Sequence, residues 1–312
     1  MRFNTNQTFI LLLVFFIVAC SSNDSPSNTA TDPINCDSTA SVFTIQLDAS
    51  GCNVNIQNQL NTASLYSETI NGTTRTITIN GVASHNVGVF PNPGNPNTIS
   101  ASSETYTMTT NPQPAASIQM GQGYTTAVLF SGVGVDPFTA EFFIGASGIN
   151  MNWNITTLQS TTSLGLDCNN AHVQPTGRYH YHGTPSAYVA DLGPANGTQM
   201  IKVGYAADGY PLYYKYGYAD DGATIVAFES GYRLKTTPRG GDGLSAPGGC
   251  PDGYYFQDYE YVDGLSDLDA CNGRTGKTPE SDNEYYYVIT DNFPSVPICF
   301  TGMPDDSFNH MP

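Results

Sequence analysis

No stretch of this sequence reads as a helix longer than about two turns, which limits the chain to folds built from strands. Soluble helices carry Glu, Lys, Arg and Ala on their outer faces, yet only 12% of the 312 residues are charged. The 20 Tyr and 15 Phe favour pleated, half-buried positions, and the 31 Gly and 20 Pro interrupt them with turns and loops. The expected architecture is mainly β: a two-sheet sandwich with long Pro/Gly-rich loops and little helix. No change of composition divides the chain after residue 36, so residues 36–312 read as one domain.

Strand-like runs lie at Ser41 to Leu47, Arg75 to Ile79, Thr105 to Thr109, Ala127 to Phe130, Ala140 to Ile144 and Met200 to Ala206. Others lie at Leu212 to Tyr218, Tyr254 to Val262 and Tyr285 to Thr290. Asn80-Gly81 marks a turn. Residues 90–97 form a loop, because three prolines and a glycine cannot sustain a ladder.

The first residues carry a targeting signal. Arg2 supplies a positive end, and Phe9 to Ala19 is an apolar run too short to span a bilayer. It closes on Ile17-Val18-Ala19-Cys20, which resembles a bacterial lipoprotein signal with Cys20 as the lipidated residue. Residues 1–19 would be removed, and residues 20–35, rich in Ser, Asn, Thr, Asp and Pro, form a flexible tether. The expected location is extracytoplasmic, on a bacterial membrane held only through the lipid. Six cysteines then remain: Cys36, Cys52, Cys168, Cys250, Cys271 and Cys299. An even number in an exported chain implies disulfides. Cys36 and Cys52 are sequence neighbours and are expected to pair across a hairpin; the other four allow three connectivities. Without a C-x-x-C pair, thiolate metal binding is not indicated.

Three of the five histidines fall between residues 167 and 182. Tyr179-His180-Tyr181-His182 reads as a strand, on which side chains alternate. The two tyrosines face one way and His180 and His182 the other. Two imidazoles on one strand face can converge on one ion of the zinc or copper class. His172 lies eight residues before His180, across Pro175 and Gly177, so the loop can fold back and add a third ring. Ring nitrogens more than about 6 Å apart would rule out a shared ion, since zinc–nitrogen bonds are roughly 2.0–2.1 Å. His85 follows a turn and reads as a surface histidine or a fourth ligand. Glu141 sits in an apolar run, as an exposed edge or a site residue, and Asp208 belongs to ordinary turn chemistry or to the second shell. Asp263, Asp267, Asp269 and Asn272 miss the spacing of an EF-hand and read as solvated loop acids.

One internal echo is visible. Asp167-Cys168-Asn169-Asn170 leads to Tyr179-His180-Tyr181-His182, and Asp269-Ala270-Cys271-Asn272 leads to Tyr285-Tyr286-Tyr287-Val288. This suggests a loop-plus-strand unit used twice, with metal-capable groups in the first copy only.

The net charge of −17 argues against nucleic-acid partners, because phosphate must be met by Lys and Arg. No Gly-x-Ser-x-Gly, His-Glu-x-x-His or P-loop occurs. Several spaced segments together resemble the bacterial YHYH-domain family: Gly134-Val135-Asp136-Pro137, Asn170-Ala171-His172-Val173-Gln174-Pro175, Tyr179-His180-Tyr181-His182-Gly183, Ala207-Asp208-Gly209-Tyr210-Pro211 and Asp269-Ala270-Cys271-Asn272-Gly273-Arg274. The resemblance spans roughly residues 75–305 and implies an extracytoplasmic protein without settled catalytic residues. Two functions compete: a transition-metal-binding protein or metalloenzyme using the histidines, and a non-catalytic surface module binding glycan or protein through Tyr-rich strands.

Overall fold

A computed structural model of the protein describes residues 35–310, except 38, 162–163 and 194–196. The expected signal peptide and Cys20 lie outside the described residues. The fold is mainly β, and the described α-helices, Ile56–Leu60 and Ser186–Asp191, are short.

A three-stranded antiparallel sheet is formed by β1 (Tyr66–Asn71), β2 (Thr74–Ile79) and β3 (Glu104–Thr109). The larger sheet has eight strands: β4 (Ala127–Leu129), β5 (Gly134–Val135), β6 (Ala171–Val173), β7 (Tyr179–Tyr181), β8 (Ile201–Ala206), β9 (Pro211–Tyr214), β10 (Gly273–Gly276) and β11 (Glu284–Ile289). Their spatial order is β10-β11-β9-β8-β4-β5-β7-β6.

That order is a palindrome of two four-stranded units. In each unit an antiparallel pair (β4-β5, or β8-β9) adds a parallel third strand (β7, or β11), which closes a hairpin with the fourth (β6, or β10). The units meet where β4 and β8 run antiparallel, with Val128 opposite Tyr205. On either side, Phe130 N donates to Val203 O and Ala207 N to Thr126 O, both at 2.9 Å, as a two-fold rotation requires. Gly132 and Gly209 take left-handed φ of 80° and 92° in the matching turns, a conformation glycine reaches without a Cβ penalty. The matching hairpins open alike. Asp167 Oδ1 accepts from Asn169 N and Ala171 N, and Tyr179 OH donates to its Oδ2 at 2.7 Å. Asp269 Oδ1 accepts from Cys271 N and Gly273 N, and Tyr285 OH donates to its Oδ2 at 2.9 Å. The echo is therefore part of a duplication that runs through the whole sheet.

Alternation along the strands assigns the faces. Ala127, Leu129, Val135, Tyr179, Tyr181, Leu212, Tyr214, Tyr287 and Ile289 point into the main core with Val82, Val87, Phe90 and Tyr188. On the opposite face, Ile77, Ile79, Tyr106 and Met108 of the small sheet pack over Val128 and Tyr205 at the centre. One flank of that face is filled by Met200, Tyr213, Phe228, Leu268, Tyr286 and Val288. The other flank carries the histidines. The second sheet is three strands wide, so it covers the centre of the large sheet and leaves both flanks to loops.

Several expectations need correction. Cys36 pairs with Cys250 and Cys52 with Cys168, with Cys271–Cys299 as the third disulfide. The 36–52 segment forms no hairpin that would bring its own cysteines together. Ser41 to Leu47 is extended, but its main chain bonds to scattered partners, Asp252 O and Leu158 O, and only Phe43 forms a bridge. Tyr254 to Val262 breaks at a 3-10 turn, Phe256–Asp258, because Asp258 Oδ2 accepts from Gly253 N and Tyr255 N. Leu212 to Tyr218 divides at Lys215, whose φ is 36°.

Candidate metal centre

The β6–β7 hairpin builds the site. Its register sets His180 directly opposite His172, a position where Cβ atoms sit about 4.5–5.5 Å apart. His182 follows His180 by two residues and shares its face. The three ring centroids lie 4.7–4.8 Å apart, and one nitrogen from each ring lies within 4.8 Å of the others. That is inside the 6 Å bound, and small ring rotations would bring the nitrogens to the separation of about 3.3 Å that a tetrahedral ion imposes.

Hydrogen bonds fix which nitrogens face inward. A carbonyl can only accept, so His172 Nδ1 donates to Leu164 O at 2.9 Å and His180 Nδ1 to Arg178 O at 3.3 Å. Both Nε2 atoms therefore carry lone pairs, and a backbone carbonyl behind a ligating ring is the usual outer partner of a metal histidine. His182 Nε2 lies 3.1 Å from His172 Nε2, and its Nδ1 is buried. With its proton on Nε2, His182 can donate to one of the two lone pairs it faces; with its proton on Nδ1, three lone pairs turn inward and a cation at their centre takes all three. The donor set fits zinc or copper.

Burial keeps the rings neutral. His180 and His182 are each 2% exposed. Desolvation pushes His180 down to about 3 and His182 well below the ordinary histidine value, with the neighbouring rings adding repulsion. His172, more open, is lowered by the same burial. Neutral imidazole is the form that ligates.

Beside His180 stands Asp136, which sequence reasoning passed over as a site residue. It follows β5, which pairs parallel with β7, and its N–H donates to Tyr181 O. Burial alone would raise its carboxyl, but Arg178 and then His180 hold it well below the usual carboxylate range. Arg178 Nη1 donates to Asp136 Oδ2 at 2.5 Å, Nη2 to Thr125 Oγ1 at 2.8 Å, and Nε to Glu104 Oε2 at 2.9 Å. Thr125 Oγ1 donates to Asp136 Oδ1 at 2.8 Å and meets His310 Nε2. The guanidinium lies across Gly134, where an added Cβ would come within 2.7 Å of Nη2, so glycine is what lets it pass.

The histidines and Asp136 floor a cleft of about 300 Å³, walled by Asn95, Pro96, Phe138, Glu141, Leu164 and Pro175. Glu141 is exposed on the rim. The other two candidates are elsewhere. His85 is not a surface residue: it is 4% exposed, on the core face, with Nε2 2.6 Å from Tyr181 OH. Burial lowers it to about 4. Asp208 lies in the second unit, where it accepts from Tyr287 OH and Gly302 N; its counterpart in the first unit is Ser131, bonded to Tyr181 OH. Of the strand tyrosines, Tyr179, Tyr181, Tyr213, Tyr286 and Tyr287 are at most 1% exposed and pack inside the protein, while Tyr216, Tyr218, Tyr259 and Tyr261 are half-buried. Asp269 is tied into its own turn, and Asp267 is largely solvated.

A family model described as "YHYH protein" matches residues 105–302. The chain belongs to the YHYH family. No curated protein and no solved structure matches it. The matched region contains both four-stranded units, so the YHYH domain here is a duplicated sheet. Its second copy sets Arg274, Tyr286 and Val288 at the positions of His172, His180 and His182. Tyr286 and Val288 belong there to an apolar cluster, so among the described residues the histidine cluster occurs in the first copy alone.

Proposed function

We propose that this YHYH protein is an extracytoplasmic, lipid-anchored metalloprotein that holds one zinc- or copper-class ion on His172, His180 and His182. The observation that carries the reading is the convergence of three neutral imidazoles, two of them fully buried, with one ring nitrogen of each within 4.8 Å of the others and the Nδ1 atoms of His172 and His180 tied to backbone carbonyls behind. Three disulfides fit an oxidising, extracytoplasmic compartment. Lipidation at Cys20 rests on the sequence signal.

Three protein ligands leave an open position toward the cleft, the arrangement of catalytic rather than closed structural sites. A bound ion of this class supplies Lewis acidity to a water molecule or carbonyl placed there. The chain's own residues supply the rest. Arg178 and Thr125 lock Asp136 beside His180, so it acts as fixed negative charge and not as a base. The Leu164 and Arg178 carbonyls hold the rings in the ligating tautomer. Phe138 and Leu164 line the cleft with apolar surface.

Metal analysis of protein stripped by chelator and reloaded with zinc or copper tests the reading. One ion per chain is expected, and none after His180→Ala with His182→Ala. A wild-type protein that takes up no stoichiometric ion contradicts it.

A further inference from the structure

We infer that the hairpin of strands Phe142–Gly145 and Gly148–Asn154 docks on a lipid bilayer, its apolar tip entering the boundary between headgroups and acyl chains. The inference rests on the lipid-anchored reading above and adds a second membrane contact made by the protein itself.

The hairpin is a two-stranded sheet with one covered face and one open face. Ile144 stands directly opposite Ile149, and Met151 follows two residues on, so all three share a face. They are 74%, 67% and 68% exposed, an apolar patch of the kind that marks a docking surface. The other face is taken by residues 241–246: Asn150 Nδ2 donates to Ser245 O at 2.8 Å, and Ser147 N donates to Leu244 O at 3.3 Å. Leu244, 58% exposed, extends the apolar surface from that side. In a chain of net charge −17, residues 142–166 contain no Asp, Glu, Lys, Arg or His. The tip therefore brings no charge to be stripped of water, and without Lys or Arg it has no need of anionic lipid. The nearby acid Asp242 is turned into its own loop, accepting from Leu244 N, Ser245 N and Ala246 N.

The start of the folded chain selects the bilayer as the occupant of this face. The described residues begin at Asn35, and Cys36 is disulfide-bonded to Cys250. Cys250 closes the loop that packs on the hairpin, where Arg239 N donates to Gly249 O. Leu244 lies six residues before Cys250, a span of at most about 20 Å. The disulfide thus fastens the anchored end of the chain to the loop that backs the apolar tip. Cys20 precedes Cys36 by 16 residues, a reach of at most about 55 Å, so the lipid holds the tip at high effective concentration over the membrane. Trp153 lies four residues from Ile149, about 13 Å along the strand, and packs on Tyr255 with ring centroids 5.5 Å apart. With the tip about 5–10 Å deep, that indole stands at headgroup level, the depth tryptophan favours. Glu141, on the rim of the histidine cleft, is three residues from Ile144, about 10 Å, so the same docking sets the mouth of the cleft at the membrane surface.

Trp153 is the single tryptophan, so Ile149→Trp in a Trp153→Phe background moves the reporter to the tip. The mature lipidated chain is reconstituted on phosphatidylcholine vesicles whose acyl chains carry bromine, which quenches indole on contact. The reporter should be quenched and shifted to the blue, equally at about 0.1 M and 0.5 M salt, because no ion pair with the lipid is involved. Adding Ile144→Asp and Met151→Asp should lower the inserted population at least about tenfold while the lipid keeps the chain on the vesicles. These tip positions are exposed, so the circular dichroism spectrum and the ion stoichiometry should not change. An unquenched reporter, quenching that survives both aspartates, or a tip already shielded without vesicles in a dimer of the chain would overturn the inference. The mass of the purified chain keeps the two readings apart. An unmodified Cys20 removes the anchor, and quenching of that same chain at high vesicle concentration, sensitive to the two aspartates, still upholds the hairpin contact, while its absence overturns it.

Discussion

Replacing Asp136 by Asn should destabilise the fold by about 2–3 kcal/mol. Asp136 and Arg178 are an ion pair with side chains 11% and 10% exposed, joined at 2.5 Å. Removing one partner of a buried pair costs roughly 3–5 kcal/mol, because the other charge is left uncompensated in a poor solvent. Glu104 still holds Arg178 Nε at 2.9 Å, which places the loss at or below the low end of that range. A change of this size shifts the folding equilibrium by about two orders of magnitude. Urea denaturation with disulfides intact, followed by the fluorescence of Trp153, measures it as a lower midpoint at unchanged slope. The depressed carboxyl of Asp136 fixes the pH behaviour. A folded-state value below the unfolded 3.8 means the contribution is complete above about pH 4 and lost only as pH falls further, so the difference from wild type should be equal at pH 7 and pH 5. Glu141→Gln serves as control, within about 0.5 kcal/mol of wild type. A loss below about 0.5 kcal/mol for Asp136→Asn would refute the view that this buried pair secures the wall of the site.

The histidines lose stability in the same direction, as pH falls, but from a higher pH. His180 titrates near 3 when folded and near 6.5 when unfolded, so stability should be complete above pH 6.5 and fall as pH drops toward 3. His180 alone contributes about 2 kcal/mol of loss by pH 5, which denaturation of wild type and His180→Ala at pH 7 and 5 would show. Tyr181→Phe leaves His85 Nε2 and Ser131 Oγ without their shared partner in the core, and should cost about 1–3 kcal/mol in the same assay without altering ion stoichiometry. Opening Cys52–Cys168 by replacing both cysteines with Ser should cost about 2–4 kcal/mol and weaken ion binding, since Cys168 stands in the turn that delivers His172 to its partner strand.

What could be read from the chain, and what could not, divides along sequence distance. Tyr179 to His182 gave up its two faces because a strand repeats every two residues, and His172 could be placed because the turn at Pro175 and Gly177 is short. Asp136 escaped because its importance depends on parallel pairing with a strand more than forty residues away and on Arg178 reaching back across Gly134. Cysteine pairing failed for a similar reason: Cys36 and Cys250 are 214 residues apart, and local spacing carries no information about such a contact. The duplication was half visible. The hairpins retain Asp, Asn and an aromatic strand, while β4-β5 and β8-β9 match mainly in a glycine turn and a register, which only the sheet reveals.

X-ray absorption at the zinc or copper edge of the reloaded protein tests the central claim most directly. Three imidazole nitrogens at about 2.0–2.1 Å, reduced to a weak or absent signal in the His180→Ala, His182→Ala protein, is the predicted result. A first shell of oxygens alone, or a spectrum that survives loss of both histidines, would contradict it.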